Sequence, residues 1–364
     1  MILKSFRIEK FRNIANASVK LGDNLNLVVG LNASGKTNFL EAVFYLMTGR
    51  SIRNAKESLL IGRGGDYARV AGVLDGREGE RKIEFGFNKA GKKHLYVDGA
   101  RLQRVSRLLD ISAVVSVAPI DIDIAAGSPD NRRKFLDALL SHCFPSYFLS
   151  LTNYQKALKQ KNSLLKEGDG RLGEYLEAWN RQLAEYGANL LARRMAFIPF
   201  LRKRGAQIYR QLAQSEEIDF RYQFSGGEVR EENIRDDLSK ALRAVVEREK
   251  AIRQAIIGPH RDDVEITVDK LSLKDFGSRG QQRCAMLAMK FAALEYLEKV
   301  RGEKPILLLD EAVSELDEVR SANLLGISES VGQVIMASSH GVEGHGYTGN
   351  VTKFHIESGK ITSQ

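Results

Sequence analysis

The chain has 364 residues, of which 43% are hydrophobic and 28% charged, the make-up of a globular protein with one large domain or two ordinary ones. No apolar run is long enough to cross a bilayer, and Met1-Ile2-Leu3-Lys4-Ser5-Phe6-Arg7 reads as a strand and not as a secretory signal, so no membrane association and a cytoplasmic location are expected. Cys143 and Cys284 are too few and too far apart for a disulfide framework or a zinc site, and the net charge of +9 favours a polyanionic partner without identifying it.

Ile2, Phe6 and Ile8 lie near a two-residue period, and 25–29 is a compact apolar strand. A glycine-rich loop leads into a helix over 37–47, where Phe39, Leu40, Val43, Phe44 and Met47 recur at helical spacing. Strands are expected at 67–74, 81–87 and 94–97, separated by the turns Asp75-Gly76, Lys89-Ala90-Gly91 and Asp98-Gly99, and again at 113–117 before Pro119. The character changes near Gly127. Ser128-Pro129-Asp130 reads as N-cap, first-turn proline and first-turn acid, and the chain to about residue 254 is mainly helical and basic, broken by a short strand over 218–224. Strands return at 264–268, 305–309, 333–337 and 351–356, with a helix over 281–300. The expected organisation is α/β over 1–126, a helical insertion over 127–255, and α/β over 256–364. The insertion lacks the sustained heptads of a long coiled-coil arm.

Residues 30–37, Gly-Leu-Asn-Ala-Ser-Gly-Lys-Thr, match G-x-x-x-x-G-K-[ST] with a strand before and a helix after. The glycines let backbone N–H groups curl around phosphates at a helix N-terminus, Lys36 can reach the β- and γ-phosphates, and the Thr37 hydroxyl can ligand Mg²⁺. Gly30, Asn32, Ala33, Ser34, Gly35, Lys36, Thr37 and the following Asn38 are therefore the candidate contacts to ATP. The run Ile306-Leu307-Leu308-Leu309-Asp310-Glu311 reads as a buried strand ending in carboxylates, with Asp310 placed to hold Mg²⁺ and Glu311 to polarise the attacking water. Ser278-Arg279-Gly280-Gln281-Gln282 opens a helix, Ser314-Glu315-Leu316-Asp317 follows Glu311, and Ser338-Ser339-His340 follows the next strand. This order resembles the ABC ATPase superfamily: phosphate loop, signature helix, Walker B strand, D-loop, switch histidine. The resemblance implies that two heads sandwich two ATP molecules, with Ser278 and Gly280 touching the γ-phosphate held by the other subunit, and His340 sensing it. Taken singly, Ser278 also reads as an ordinary N-cap and His340 as an ordinary surface histidine.

More specific blocks narrow the resemblance. Residues 6–13 (Phe-Arg-Ile-Glu-Lys-Phe-Arg-Asn), 37–42, 127–137, 154–162 and 258–263 (Gly-Pro-His-Arg-Asp-Asp) are similar to the RecF family over nearly the whole chain. That resemblance implies an ABC ATPase head with an inserted helical second lobe and an ATP-dependent homodimer with weak, DNA-stimulated ATPase activity. It also implies binding to single-stranded, double-stranded and gapped DNA, and work with the RecO and RecR mediators in loading recombinase. Two positions depart from the family pattern: Glu311 stands where a second Asp is usual, and Ile120 where Glu is usual. No Q-loop glutamine is evident.

Three basic groups in the insertion, Arg132-Arg133-Lys134, then Lys156, Lys159, Lys161 and Lys166, then Arg202-Lys203-Arg204, read either as a phosphate-tracking surface or as solvated helix faces. A local hydrogen-bonding role suits His260 better than a metal. A transporter nucleotide-binding subunit is the contrasting reading, disfavoured by the long basic insertion. An SMC-type chromosome protein is disfavoured by the missing coiled coil.

Overall fold

The computed structural model describes residues 1–167, 172–213, 216–312, 316–339, 347 and 349–363. The chain forms two compact units, residues 1–121 with 293–364, and residues 122–292. It is an α/β protein with a helical insertion.

The first unit contains two sheets. One is antiparallel, in the order Ile14–Lys20, Ile2–Phe11, Tyr67–Gly76, Gly79–Asn88, Lys93–Val97, Ala100–Leu102. Alternation of Leu3, Phe6, Ile8 and Phe11 with more accessible residues gives its first long strand one buried face. The other runs Lys360–Ser363, Val351–Glu357, Leu25–Val29, Val334–Ser338, Ile306–Asp310, Val114–Val117, and is parallel except for the antiparallel edge strand Lys360–Ser363. Ile306–Asp310 and Val334–Ser338 are buried at every position, as befits inner strands covered on both faces. The helix Lys36–Thr48 contributes to one apolar core with residues of both sheets. Phe39 meets Phe6 edge-on at 5.5 Å, and Tyr45 meets Phe85 at 5.0 Å and Phe87 at 4.8 Å.

The second unit holds the helices Pro129–Cys143, Pro145–Glu167, Leu172–Phe200, Ala206–Ala213, Ile234–Ala244 and Val246–Ile252, with a three-stranded sheet. Pro199 removes a helix donor near the end of Leu172–Phe200, and a π-helical turn, Leu201–Gly205, follows. The sheet order is Leu271–Ser272, Asp263–Val268, Ile218–Gln223. Pairing of Asp263–Val268 with Ile218–Gln223 joins residues beyond 255 to the insertion, and the second unit runs on to Ala292, inside the helix Arg279–Arg301. Sequence patterning placed that boundary at 255 because it marks where helical character ends, and not which strand the next one pairs with.

A buried polar hub organises this unit. Arg194, 1% exposed, donates to the Tyr147 hydroxyl at 3.0 Å, the Pro259 carbonyl at 2.7 Å, Asp137 at 2.7 Å and the Tyr222 hydroxyl at 3.3 Å. Tyr222 donates onward to Asp262 at 2.6 Å. Arg132 forks onto Asp263 at 2.6 and 2.9 Å, and Lys161, fully buried, faces Glu249 at 2.6 Å. His260 is held neutral, its pKa pushed down to about 3 by burial, with Nδ1 2.7 Å from the Tyr154 hydroxyl.

Arg194→Met should lower the unfolding free energy by about 3–5 kcal/mol, read by urea denaturation, because Asp137 and the hydroxyls lose a buried cation. The unfolded chain protonates His260 below about 6.5 whereas the folded chain resists until about 3. Stability contributed by this group should therefore fall as pH drops across that window, and denaturation of His260→Gln at stepped pH should show a shallower loss.

Candidate nucleotide site

The phosphate loop leaves the strand Leu25–Val29 and re-enters the chain as the helix Lys36–Thr48. Two positions admit only glycine. Gly35 has φ 121°, and a Cβ on Gly30 would stand 2.3 Å from the Ile356 carbonyl oxygen and 2.7 Å from the Ser34 hydroxyl. Ala33 takes a left-handed φ of 65° within the loop. The Ser34 carbonyl accepts from Asn13 Nδ2 at 3.0 Å and from the Gly359 N–H at 2.9 Å, and Asn38 Nδ2 donates to Asn13 Oδ1 at 2.9 Å. Asn13, in the turn after the first strand, thus ties the loop to its own helix. Behind that turn Arg12 donates to the fully buried Glu41 at 3.0 and 3.3 Å, and Ser51 adds a third donor at 2.5 Å.

Lys36 is 4% exposed, and its Nζ lies 2.7 Å from the Gly30 carbonyl, 3.2 Å from that of Leu31, 3.1 Å from Glu311 Oε1 and 3.3 Å from Ser339 Oγ. The Thr37 hydroxyl donates to Asp310 Oδ1 at 2.9 Å. Glu311 takes a left-handed φ of 49° directly after the strand Ile306–Asp310, and its N–H donates to the Ala337 carbonyl. Ser339 Oγ stands 2.9 Å from Glu311 Oε1 and 3.0 Å from Asn32 Oδ1, so its one proton serves one of them at a time. Burial pushes the Asp310 carboxyl above its ordinary range, partly offset by Thr37, Arg53 and Lys36. Thr37 and Asp310 form an oxygen-only pair of the kind a hard divalent cation takes, and a buried carboxylate with a raised pKa is a group that a cation would relieve. The unpartnered, buried Ser34 hydroxyl, in a loop that runs into a helix N-terminus, suits a phosphate oxygen.

The structure therefore brings together Gly30, Asn32, Ala33, Ser34, Gly35, Lys36, Thr37 and Asn38 with Asp310 and Glu311. His340 lies outside the described residues, as do Ser314 and Glu315. Of the segment after them, Asp317 caps the helix Glu318–Glu329 by accepting from the Arg320 N–H at 2.9 Å. In the second unit Ser278 and Gln281 form a reciprocal capping box: Ser278 Oγ accepts from the Gln281 N–H at 3.2 Å, and Gln281 Oε1 accepts from the Ser278 N–H at 2.7 Å. Gly280 lies in the first turn of that helix, Arg279–Arg301. Nothing in the spacing of the sequence marks Asn13 or Ser339 as site residues; only the fold shows that each touches the loop.

Two residues of the basic groups fit neither reading, the phosphate-tracking surface nor the solvated face. Arg132 and Lys161 are buried in ion pairs, because each neutralises a carboxylate of its own unit. Lys156, Lys159, Lys166 and Lys203 remain exposed.

The RecF/RecN/SMC N-terminal domain family matches residues 2–342. The DNA replication and repair protein RecF of Clostridium acetobutylicum is 32% identical over 99% of both chains, and that of Macrococcus caseolyticus 33% identical over 100% of both. The chain belongs to the RecF family. A solved structure of the recombination mediator protein RecF with ATP in the RecFOR pathway is 34% identical, covers 100% of this chain and 97% of its own, and superposes with a TM-score of 0.90. An Smc head bound to the C-terminal winged-helix domain of ScpA, 16% identical over 100% of this chain and 98% of its own, has a TM-score of 0.61 and shares the fold.

Asp310→Asn keeps an acceptor for Thr37 but removes the buried charge. It should raise the unfolding free energy of the nucleotide-free protein at pH 7 while cutting ATP hydrolysis by roughly 10²-fold or more, checked by denaturation and a phosphate-release assay.

Proposed function

We propose that this chain is an ATP-dependent DNA-binding protein of recombinational repair and replication restart. Its ATP-driven homodimer clamps single- or double-stranded DNA at gaps. Hydrolysis releases the DNA, and the cycle supports recombinase loading with RecO and RecR. The observation that carries this reading is the convergence of Lys36, Thr37, Asp310 and Glu311 on one loop, in a chain of the RecF family.

In this reading the loop N–H groups and Lys36 bind the β- and γ-phosphates, Lys36 exchanging the Gly30 and Leu31 carbonyls for phosphate oxygens. Thr37 and Asp310 would hold Mg²⁺, which when bound would neutralise negative charge on the phosphates. Glu311 takes a proton from water as the water oxygen attacks the γ-phosphorus. The bond to the β-phosphate oxygen breaks, and ADP leaves with that electron pair. Ser339 orients the Glu311 carboxylate. His340 senses the γ-phosphate, and Ser278 and Gly280 touch it from the other subunit of the dimer. The exposed lysines of the insertion contact the DNA backbone with little sequence preference, since phosphate contacts position a protein without reading bases. The hydrolysis is weak and DNA-stimulated, as suits a clamp that must hold before it releases.

The test is the solution mass of the purified protein with and without Mg-ATP and a gapped duplex. A monomer that becomes a dimer with ATP and then retains DNA is expected. Glu311→Gln should lengthen DNA retention by at least about 10²-fold while Lys36→Met abolishes the dimer. A mass indifferent to ATP, or a dimer that ignores DNA, contradicts the clamp.

A further inference from the structure

Within the second unit, a cavity of about 220 Å³ opens between the helices Leu172–Phe200 and Ile234–Ala244. Glu177, Asn180 and Arg181 reach it from one helix, at positions i, i+3 and i+4, which share a face. Arg235, Asp236 and Arg243 reach it from the other, the two arginines about two turns apart. On that second helix Ile234, Leu238 and Leu242 are buried, and at Gly187 a Cβ would stand 2.8 Å from Leu238, so the helices pack closely there.

The three arginines have no ion-pair partner among the described residues, although two carboxylates line the same cavity. Asn180 is 5% exposed, and its Oδ1 is buried without a hydrogen-bond partner. An unpaired buried acceptor is costly, and it marks a place where a donor is missing. The lining thus asks for two things at once: acceptor oxygens for the guanidinium forks, and donors for Asn180 Oδ1 and the two carboxylates. A DNA backbone offers phosphate oxygens but no donor. It also brings neighbouring phosphates towards Glu177 and Asp236. A peptide with an acidic side chain offers both groups, a carboxylate and the backbone N–H beside it.

We propose that this cavity is a docking site for an acidic peptide segment of a partner protein. Its carboxylate enters between Arg181, Arg235 and Arg243, and a neighbouring backbone N–H donates to Asn180 Oδ1. Neither the loop residues nor the lysines assigned above to the DNA backbone line it.

The test uses the full chain, a fluorescein-labelled short peptide of Asp, Glu and Gly, its Asn/Gln/Gly counterpart, and a labelled single-stranded oligonucleotide, all read by anisotropy. The acidic peptide should bind saturably and the neutral one should not. Arg235→Ala should weaken the acidic peptide about ten-fold, and Arg235→Ala with Arg243→Ala about a hundred-fold, since each removes a charge-assisted hydrogen bond. Asn180→Leu should weaken the peptide and leave oligonucleotide and ATP binding unchanged. Both arginines are exposed, so their removal spares the core, and a thermal melt confirms folding. Absence of saturable acidic-peptide binding, or equal binding by the double-arginine variant, overturns the proposal. So does a double variant that loses the oligonucleotide and keeps the peptide, which would make the cavity a DNA phosphate site.

Discussion

The nucleotide site depends on one hydrogen bond, from the Thr37 hydroxyl to the Asp310 carboxylate, between residues 273 positions apart. The parallel sheet makes that bond available. Val334–Ser338 lies between Leu25–Val29 and Ile306–Asp310, so three strands end at the same edge. The loop follows the first, Ser339 the second, and Glu311 the third. Ligands of open α/β sheets gather at the carboxyl ends of strands for this reason: chain direction delivers several functional side chains to one crevice. The register is held by strands buried at every position, where a slip would draw a flanking polar residue such as Glu311 into the core.

The charges at that edge are held at a cost. Lys36 and Asp310 are each 4% exposed, and removing a charge from water is costly even when a partner is near. Glu311 adds a left-handed backbone that a β-strand residue does not choose unaided. These features are kept by the surrounding packing: Asn13 and Gly359 clamp the loop from outside, and the Arg12–Glu41–Ser51 cluster stiffens the turn and helix behind it. Destabilised groups concentrated at one edge, with rigid supports on either side, are what a phosphate and cation site requires.

The second unit is organised by polar burial as well as by apolar packing. The hub at Arg194 links three helices to the strands and the turn around Pro259, and the sequence blocks at 127–137 and 258–263 feed it. Residues of both blocks therefore serve the architecture of this unit. A basic residue in such a block is as apt to neutralise a buried carboxylate as to face a phosphate, and Arg132 and Lys161 do the former.

Much of this was written in the order of residues. The glycines and lysine at 30–37, the apolar run ending in Asp310 and Glu311, and the alternation of the early strands each rest on local periodicity or spacing, which a chain displays before it folds. The short edge strands Ala100–Leu102, Leu271–Ser272 and Lys360–Ser363 were not legible, because so few residues carry no period and exist as strands only through a neighbour's hydrogen bonds. Asn13, Ser339 and Arg194 were not legible as partners for the same reason, since a hydrogen bond between distant residues leaves no trace in spacing. Sequence determined which side chains could hold a nucleotide. Only the tertiary structure decided which residues support them, which lysines and arginines meet solvent, and that Asn180 and three arginines share a cavity, because each of these depends on what stands opposite in space.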